Sequence, residues 1–86
     1  MIHRIFTVYD VAADAFLQPF FSVNRAVAIR NFASAAGEEG SQFHRHSGDY
    51  TLFEIGSFDQ VKGELVGCEA KVNLGTALQY RGEEDA

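Results

Sequence analysis

The sequence of 86 residues contains a single cysteine, Cys68, a single proline, Pro19, and no tryptophan. One cysteine excludes an internal disulfide and any zinc site built from several cysteines. Such cysteine usage is typical of a reducing compartment. A lone cysteine is most often a small buried side chain, so we expect Cys68 to be buried and unreactive.

Long apolar runs are also missing. No stretch approaches the roughly 20 residues that a membrane helix needs. The chain passes directly from Met1 into a mixed, strand-like segment, without the pattern of a secretion signal. We therefore expect a soluble, cytoplasmic protein with no membrane partner.

Basic residues are scarce, with seven Lys and Arg against twelve Asp and Glu and a formal net charge of −5. Because contacts from Lys and Arg to phosphates supply most non-specific nucleic-acid affinity, this balance disfavours coating of nucleic acid by charge alone. Residues 1–81 hold seven basic and nine acidic side chains, which leaves room for a local basic face. The other three acids lie in segment 82–86. We predict one domain over residues 1–81 and a disordered acidic tail over residues 82–86.

Motifs for catalysis are absent from the sequence. There is no nucleophile motif and no phosphate-binding glycine loop, and the acidic residues are scattered, so we predict a non-enzyme without a cofactor. His44, His46 and Asp49 have the chemistry of metal ligands at short spacing. No fourth ligand is evident beside them, so we interpret them as a polar loop and predict no metal.

The first half of the chain predicts two extended segments and one helix. Segment 2–11 is strand-like, and Pro19 restricts segment 16–21 to an edge strand or an extended connection. Asn24 is a good N-cap and Gly37 a natural stop, so we predict a helix over residues 25–36. Its predicted buried stripe is Ala28, Ile29, Phe32, Ala33 and Ala36.

The second half predicts a hairpin. Residues 50–55 are typical of a central strand, residues 59–63 of a loop, and residues 64–66 of the returning strand. Phe53, Ile55 and Leu65 are candidate core residues. Residues 71–74 alternate like a strand, and residues 78–81 fit either a short strand or a helical turn. The fold class is therefore α+β, a small, mainly antiparallel sheet with one packed helix.

Four short segments stand out by their order and spacing: IFTVYD at 5–10, PFF at 19–21, AIRNF at 28–32 and DYTLFEIGSFD at 49–59. Together they resemble the small non-structural protein of gokushoviruses, single-stranded-DNA phages of the Microviridae, over nearly all of the chain from Ile5 to Tyr80. The sequence departs from that pattern at Ser47-Gly48, which makes this loop more flexible. The resemblance implies a phage protein made in the bacterial host cytoplasm, absent from the capsid, that binds single-stranded DNA during genome replication or packaging.

Binding of single-stranded DNA needs exposed aromatic rings interleaved with Arg or Lys. The chain has eight Phe and three Tyr, more aromatic residues than a small monomer readily buries. We predict that Phe6, Phe32, Phe53 and Phe58 are core residues, and that tyrosines lie on the wet face. The predicted nucleic-acid-binding residues are Arg4, Tyr9, Arg25, Arg30, Arg45, Tyr50, Tyr80 and Arg81.

Two functions follow as hypotheses. The first is a non-catalytic protein that binds single-stranded DNA, as the resemblance and the adjacency of Arg and Tyr indicate. The alternative, which the net charge of −5 favours, is a protein-interaction factor that binds a phage replication protein, a capsid protein or a host enzyme without DNA affinity. The small size and the aromatic content also predict a homodimer.

Overall fold

The computed structural model describes the backbone of residues 1–84 and the side chains of residues 1–81. A 3-10 turn at Ser47–Asp49 precedes the central hairpin. The strands and helices, in chain order, are β1 (Ile2–Asp10), β2 (Ala15–Phe16), β3 (Phe20–Ser22), α1 (Arg25–Gly37), α2 (Gln42–Arg45), β4 (Tyr50–Asp59), β5 (Glu64–Thr76) and α3 (Ala77–Glu84).

All strand pairs in the sheet are antiparallel and the helices lie outside it, which confirms the predicted α+β class. The sequence predicted one packed helix, whereas the described residues form three. The order is β2-β1-β4-β5, and β3 pairs with β1 further along the edge that β2 also occupies. Pro19 lies between β2 and β3, where the chain leaves the ladder. Proline has no N–H to donate, so the ladder along this edge of the sheet is interrupted at Pro19. The segment lies at a sheet edge, as the sequence predicted.

Helix α1 covers one face of the sheet. The Asn24 side chain accepts a hydrogen bond from the Val27 backbone N–H at 2.8 Å, which confirms the predicted N-cap. Of the predicted stripe, Ala28, Phe32 and Ala36 are buried, whereas Ile29 and Ala33 are half-buried. The buried core joins α1 and α3 to β1 and β4 through Phe6, Val8, Ala28, Phe32, Ala36, Tyr50, Leu52 and Ala77.

The β4–β5 hairpin turns as the sequence predicted. The Asp59 carboxylate accepts backbone hydrogen bonds from Val61 at 2.9 Å and Lys62 at 3.2 Å. Gly63 has a φ of 68° and closes the loop by donating to the Asp59 carbonyl at 2.7 Å. This backbone conformation favours glycine, which has no Cβ to clash.

A large bulge interrupts the pairing of β4 with β5. Glu54 pairs with Val72 and Gly56 with Gly67, so that four residues of β5 stand opposite one residue of β4. The bulged strand curves away from the ladder. Cys68 lies in this segment and is exposed, so the prediction of a buried cysteine is wrong.

Several predicted core residues lie outside the core. Leu65 is 67% exposed near the hairpin loop, so its predicted core role is wrong. Phe53, Ile55 and Phe58 are half-buried, and Phe53 and Ile55 belong to the sheet face opposite α1. Phe6 and Phe32 are buried, as predicted.

In the last third of the chain, the structure confirms the predicted strand at residues 71–74 and decides between the two alternatives for residues 78–81. Residues 71–74 belong to the long strand β5, and residues 78–81 form part of helix α3. The backbone is helical to Glu84, so the predicted tail begins inside α3, and positions 85 and 86 lie outside the described residues. Within residues 1–84, no helix is both long enough and apolar enough to span a membrane.

Candidate nucleic-acid interface

Three aromatic side chains form a row on the side of the sheet that faces away from α1. Side chains alternate across a strand, so the packing of Val8 and Leu52 in the core directs Tyr9 and Phe53 to the opposite face. Edge strand β2 adds Phe16, which is paired with Tyr9 in the ladder. The ring centroids are 4.8 Å apart for Tyr9 and Phe16 and 5.9 Å apart for Phe16 and Phe53. We call these three residues the aromatic row and this side of the sheet the open face.

Lys71 places a positive charge over the aromatic row. It lies in the bulged part of β5, and its Nζ is 5.7 Å from the centroid of the Phe16 ring, within the range of a cation–π contact. Phe16 is 46% exposed and Lys71 is exposed, so a ligand can reach both. A pocket of about 350 Å³ beside them is lined by Thr7, Phe16, Leu17, Pro19, Ile55 and Lys71.

The arrangement suits ligands with flat rings. Aromatic side chains on an open sheet face can stack with bases, and a lysine beside them can contact a phosphate. The Tyr9 hydroxyl donates a hydrogen bond to the Asp14 carboxylate, which raises the pKa of Tyr9. Asp14 adds a negative charge at this end of the row, so stacking is the stronger source of affinity here.

Two of the predicted arginines meet at a buried carboxylate. Glu54 is 4% exposed, and its carboxylate oxygens accept hydrogen bonds from Arg4 Nη1 at 2.6 Å and from Arg25 Nε at 2.8 Å. Burial raises the pKa of the Glu54 carboxyl, but the hydrogen bonds and charges of the two arginines outweigh it and hold that pKa below its usual value. Each arginine side chain remains 48% exposed. These arginines lie on the α1 side of the sheet, away from the aromatic row.

Two of the predicted tyrosines belong to the packed side of the protein, with Tyr50 buried in the core and Tyr80 half-buried against it. Tyr50 is 6% exposed, with its ring centroid 4.8 Å from that of Phe43. Burial, together with the nearby Asp10 and Asp49 charges, raises the pKa of this tyrosine. The Tyr80 ring lies edge-on to Phe32, and its hydroxyl donates to the Leu74 carbonyl. In this conformation the buried Tyr50 ring offers no free face to a base.

The other predicted arginines are separate from the aromatic row. Arg30 is exposed on α1, and Arg45 is exposed at the end of α2. Arg81 is half-buried on α3, and its Nε has no hydrogen-bond partner among the described residues. Of the eight residues predicted from sequence, the structure therefore places Tyr9 alone in the row.

Of the two histidines in the central loop, His44 has a side-chain contact within the fold. The His44 Nδ1 lies 2.9 Å from the carbonyl oxygen of Ala36, near the end of α1. His46 is exposed at the C-terminal end of α2. In the part of the chain that the structure describes, no three His, Cys, Asp or Glu side chains are grouped so that they could hold a metal ion.

Comparison with known proteins identifies the family. The family model described as Phage ORF5 protein matches residues 3–80. The chain belongs to the Phage ORF5 protein family. No curated protein and no solved structure shows a match. The part of the chain matched by the Phage ORF5 family contains the aromatic row and Lys71, so the open face belongs to the shared domain of a phage protein.

Phe16, Phe53 and Lys71 of this Phage ORF5 family member were not among the binding residues predicted from its sequence. A signal for Phe53 was present, because Thr51, Phe53 and Ile55 alternate with buried side chains of β4 and must face the other way. Lys71 had no local signal, since it approaches Phe16 only through the pairing of distant strands.

Proposed function

We propose that this protein is a non-catalytic, single-stranded-DNA-binding protein that uses the open face of its sheet. The observation that carries the proposal is the aromatic row with Lys71 over its central ring. Sheets of other folds bind single strands in the same manner, with two or three bases stacked on exposed rings.

The energetics of this site favour stacking over charge. Each stacked base contributes about 1–3 kcal/mol, and any base can stack because all bases have a flat face. The row offers three rings and one lysine, whereas the whole chain carries a net charge of −5. We therefore expect preference for single strands over duplexes, little sequence specificity and a shallow dependence on salt.

We further propose that the protein acts in a bacterium infected by a single-stranded-DNA phage. The Phage ORF5 family supports a bacteriophage protein, and the resemblance to gokushovirus proteins points to a Microviridae phage with a single-stranded genome. In such a phage the ligand is the viral strand itself, bound in the host cytoplasm during replication or packaging. This role needs no cofactor.

The experiment is fluorescence anisotropy of a labelled oligothymidine titrated with the protein, with the matching duplex as control. We expect saturable binding that prefers the single strand. F16A removes the central ring, and we expect it to weaken binding about tenfold, the equivalent of about 1.4 kcal/mol lost from stacking. K71Q should lower both the affinity and the slope of its salt dependence, because it removes one phosphate contact.

Matched control variants are available on the same sheet. F21A removes a phenylalanine of similar exposure, 51% against 46%, from the far end of the sheet. K62Q removes a lysine from the hairpin loop. Both controls should bind like the wild type. Equal losses for F16A and F21A would contradict the assignment of the site to the aromatic row.

A second candidate function, binding of a protein partner, has one observation in its favour. Phe21, Phe58 and Leu65 form an apolar patch near the hairpin end of the sheet, with the Phe21 and Phe58 rings 5.8 Å apart. The partner would be a phage replication or capsid protein, a host enzyme or a second copy of this chain. Absence of oligonucleotide binding at low salt would favour this candidate, and sedimentation of wild type and L65E would test the homodimer.

A further inference from the structure

A second polar site lies at the start of α1, on the side of the sheet opposite the aromatic row. Arg4 comes from β1, Arg25 is the first residue of α1, and Ser22 is the last residue of β3. We propose that Ser22, Arg4 and Arg25 form a binding site for a phosphate group. The site uses other residues than the aromatic row and lies on the other face of the sheet.

Glu54 holds the two arginines in position. Each carboxylate oxygen accepts one hydrogen bond from one arginine, at 2.6 Å from Arg4 Nη1 and at 2.8 Å from Arg25 Nε. Each guanidinium group has five N–H donors, so this contact uses a minority of them. Both arginine side chains are about half exposed. Their remaining donors are thus held in place for an oxyanion, which arginine recognises through paired hydrogen bonds.

Ser22 supplies an unused hydroxyl on the same face of the sheet as Arg4. It is paired with Arg4 across β1 and β3, so the two side chains lie on the same face of the sheet. Ser22 is 8% exposed, and among the described residues its hydroxyl oxygen has no hydrogen-bond partner. A buried hydroxyl without a partner costs free energy, and a phosphate oxygen would remove that cost by accepting its proton.

The N-terminal end of α1 also favours binding of an anion at this site. The first amide groups of a helix have no acceptor within the helix, and the helix dipole favours an anion there. Asn24 caps Val27 and leaves Arg25 at the first helical position. Two arginines against one carboxylate give the cluster a local charge of +1, in a chain with a net charge of −5.

The test measures the thermal unfolding midpoint of the full chain in increasing sodium phosphate, against sodium chloride of equal ionic strength. Wild type should be stabilised by phosphate beyond the effect of chloride, because a ligand that binds the folded state alone raises stability. S22A should bind phosphate about tenfold more weakly, since it loses a hydrogen bond to a charged group. R25Q should lose the effect, and R30Q, which removes the same charge from the exposed part of α1, should retain it.

S22A tests the phosphate site even if R25Q fails to fold. It leaves the contacts of Glu54 intact, so without phosphate it should fold at least as stably as the wild type. Equal midpoints in phosphate and chloride for the wild type would overturn the proposal. So would a phosphate response in S22A equal to that of the wild type.

A second arm separates a free phosphate compound from the phosphodiester backbone of DNA. If S22A weakens binding of oligothymidine and of phosphate by the same factor, the ligand is the DNA backbone. If S22A weakens binding of phosphate alone, the ligand is a small phosphorylated compound. F16A should weaken oligothymidine binding and leave the phosphate response unchanged, so failure of one site is distinguishable from failure of the other.

Discussion

At the scale of single residues, Glu54 organises the charged groups of the protein. It lies in the middle of β4, and its partners are 50 and 29 residues away in sequence. Such a contact has no local sequence signal, because it depends on the pairing of β1 with β4 and on the position of α1. This is why Arg4 and Arg25 were predicted as separate DNA contacts, whereas the structure brings them to one carboxylate.

The lowered pKa of Glu54 predicts sensitivity to acid. The two arginines hold the folded-state pKa of Glu54 below the ordinary value of a glutamate, which is the value expected in an unfolded chain. The stabilisation is therefore complete above the unfolded value and is lost as the pH falls through the folded value. We expect the free energy of unfolding of the wild type, measured with urea, to fall more between pH 7 and pH 3 than that of E54Q.

E54Q gives the matched comparison for that experiment. A neutral amide keeps the shape of the side chain but loses the charge-assisted hydrogen bonds to two half-exposed arginines. We expect a loss of about 1 kcal/mol at pH 7, reduced from the value for buried pairs by solvent screening. Parallel pH profiles for wild type and E54Q would show that Glu54 is not the group responsible.

At the scale of elements, the β4–β5 hairpin shows which features a sequence can predict. The loop was predictable because Asp59 and Gly63 fix its geometry within five residues of chain. The helix was predictable for the same reason, from Asn24 and the spacing of Ala28 and Phe32. The bulge in β5 was not, because it is defined by which distant residues pair across the ladder.

Gly56 marks a close approach between β4 and β5. A Cβ at this position would lie 2.5 Å from the backbone carbonyl oxygen of Val66, which cannot move without disturbing the ladder. We expect G56A to lower the free energy of unfolding by about 1–3 kcal/mol, as overpacking commonly does. Urea unfolding monitored by circular dichroism measures the change.

G48A is the control for this prediction. A Cβ on Gly48 would meet no atom within 4 Å, so the same substitution is sterically free there. Its effect should stay within about 0.5 kcal/mol, the usual range for surface changes. Equal effects for G56A and G48A would contradict the role given to the close approach.

At the scale of the whole molecule, the chain is a layer of helices on one side of a sheet with the other side open. It measures 41 × 26 × 19 Å, with the helices and the core on one face and the aromatic row on the other. The fold class was predictable from alternation and caps. The site was predictable only in part, because Phe16 in β2 is distant in sequence from Phe53 and Lys71 of the β4–β5 hairpin.

The net charge of −5 is compatible with DNA binding when the affinity comes from rings. With one lysine at the row, we expect few phosphate contacts and a log–log salt slope near −0.7 per contact. A slope steeper than about −3 would mean that arginines elsewhere on the surface dominate binding. Anisotropy titrations at four salt concentrations measure this slope.

A nuclear magnetic resonance titration of ¹⁵N-labelled protein with a short oligothymidine shows directly whether the open face is the DNA-binding surface. We expect the largest amide shift changes on Tyr9, Phe16, Phe53 and Lys71, with small changes in α2 and α3. Absence of any shift change, or changes centred on α2 and α3, would contradict binding of single-stranded DNA at the open face.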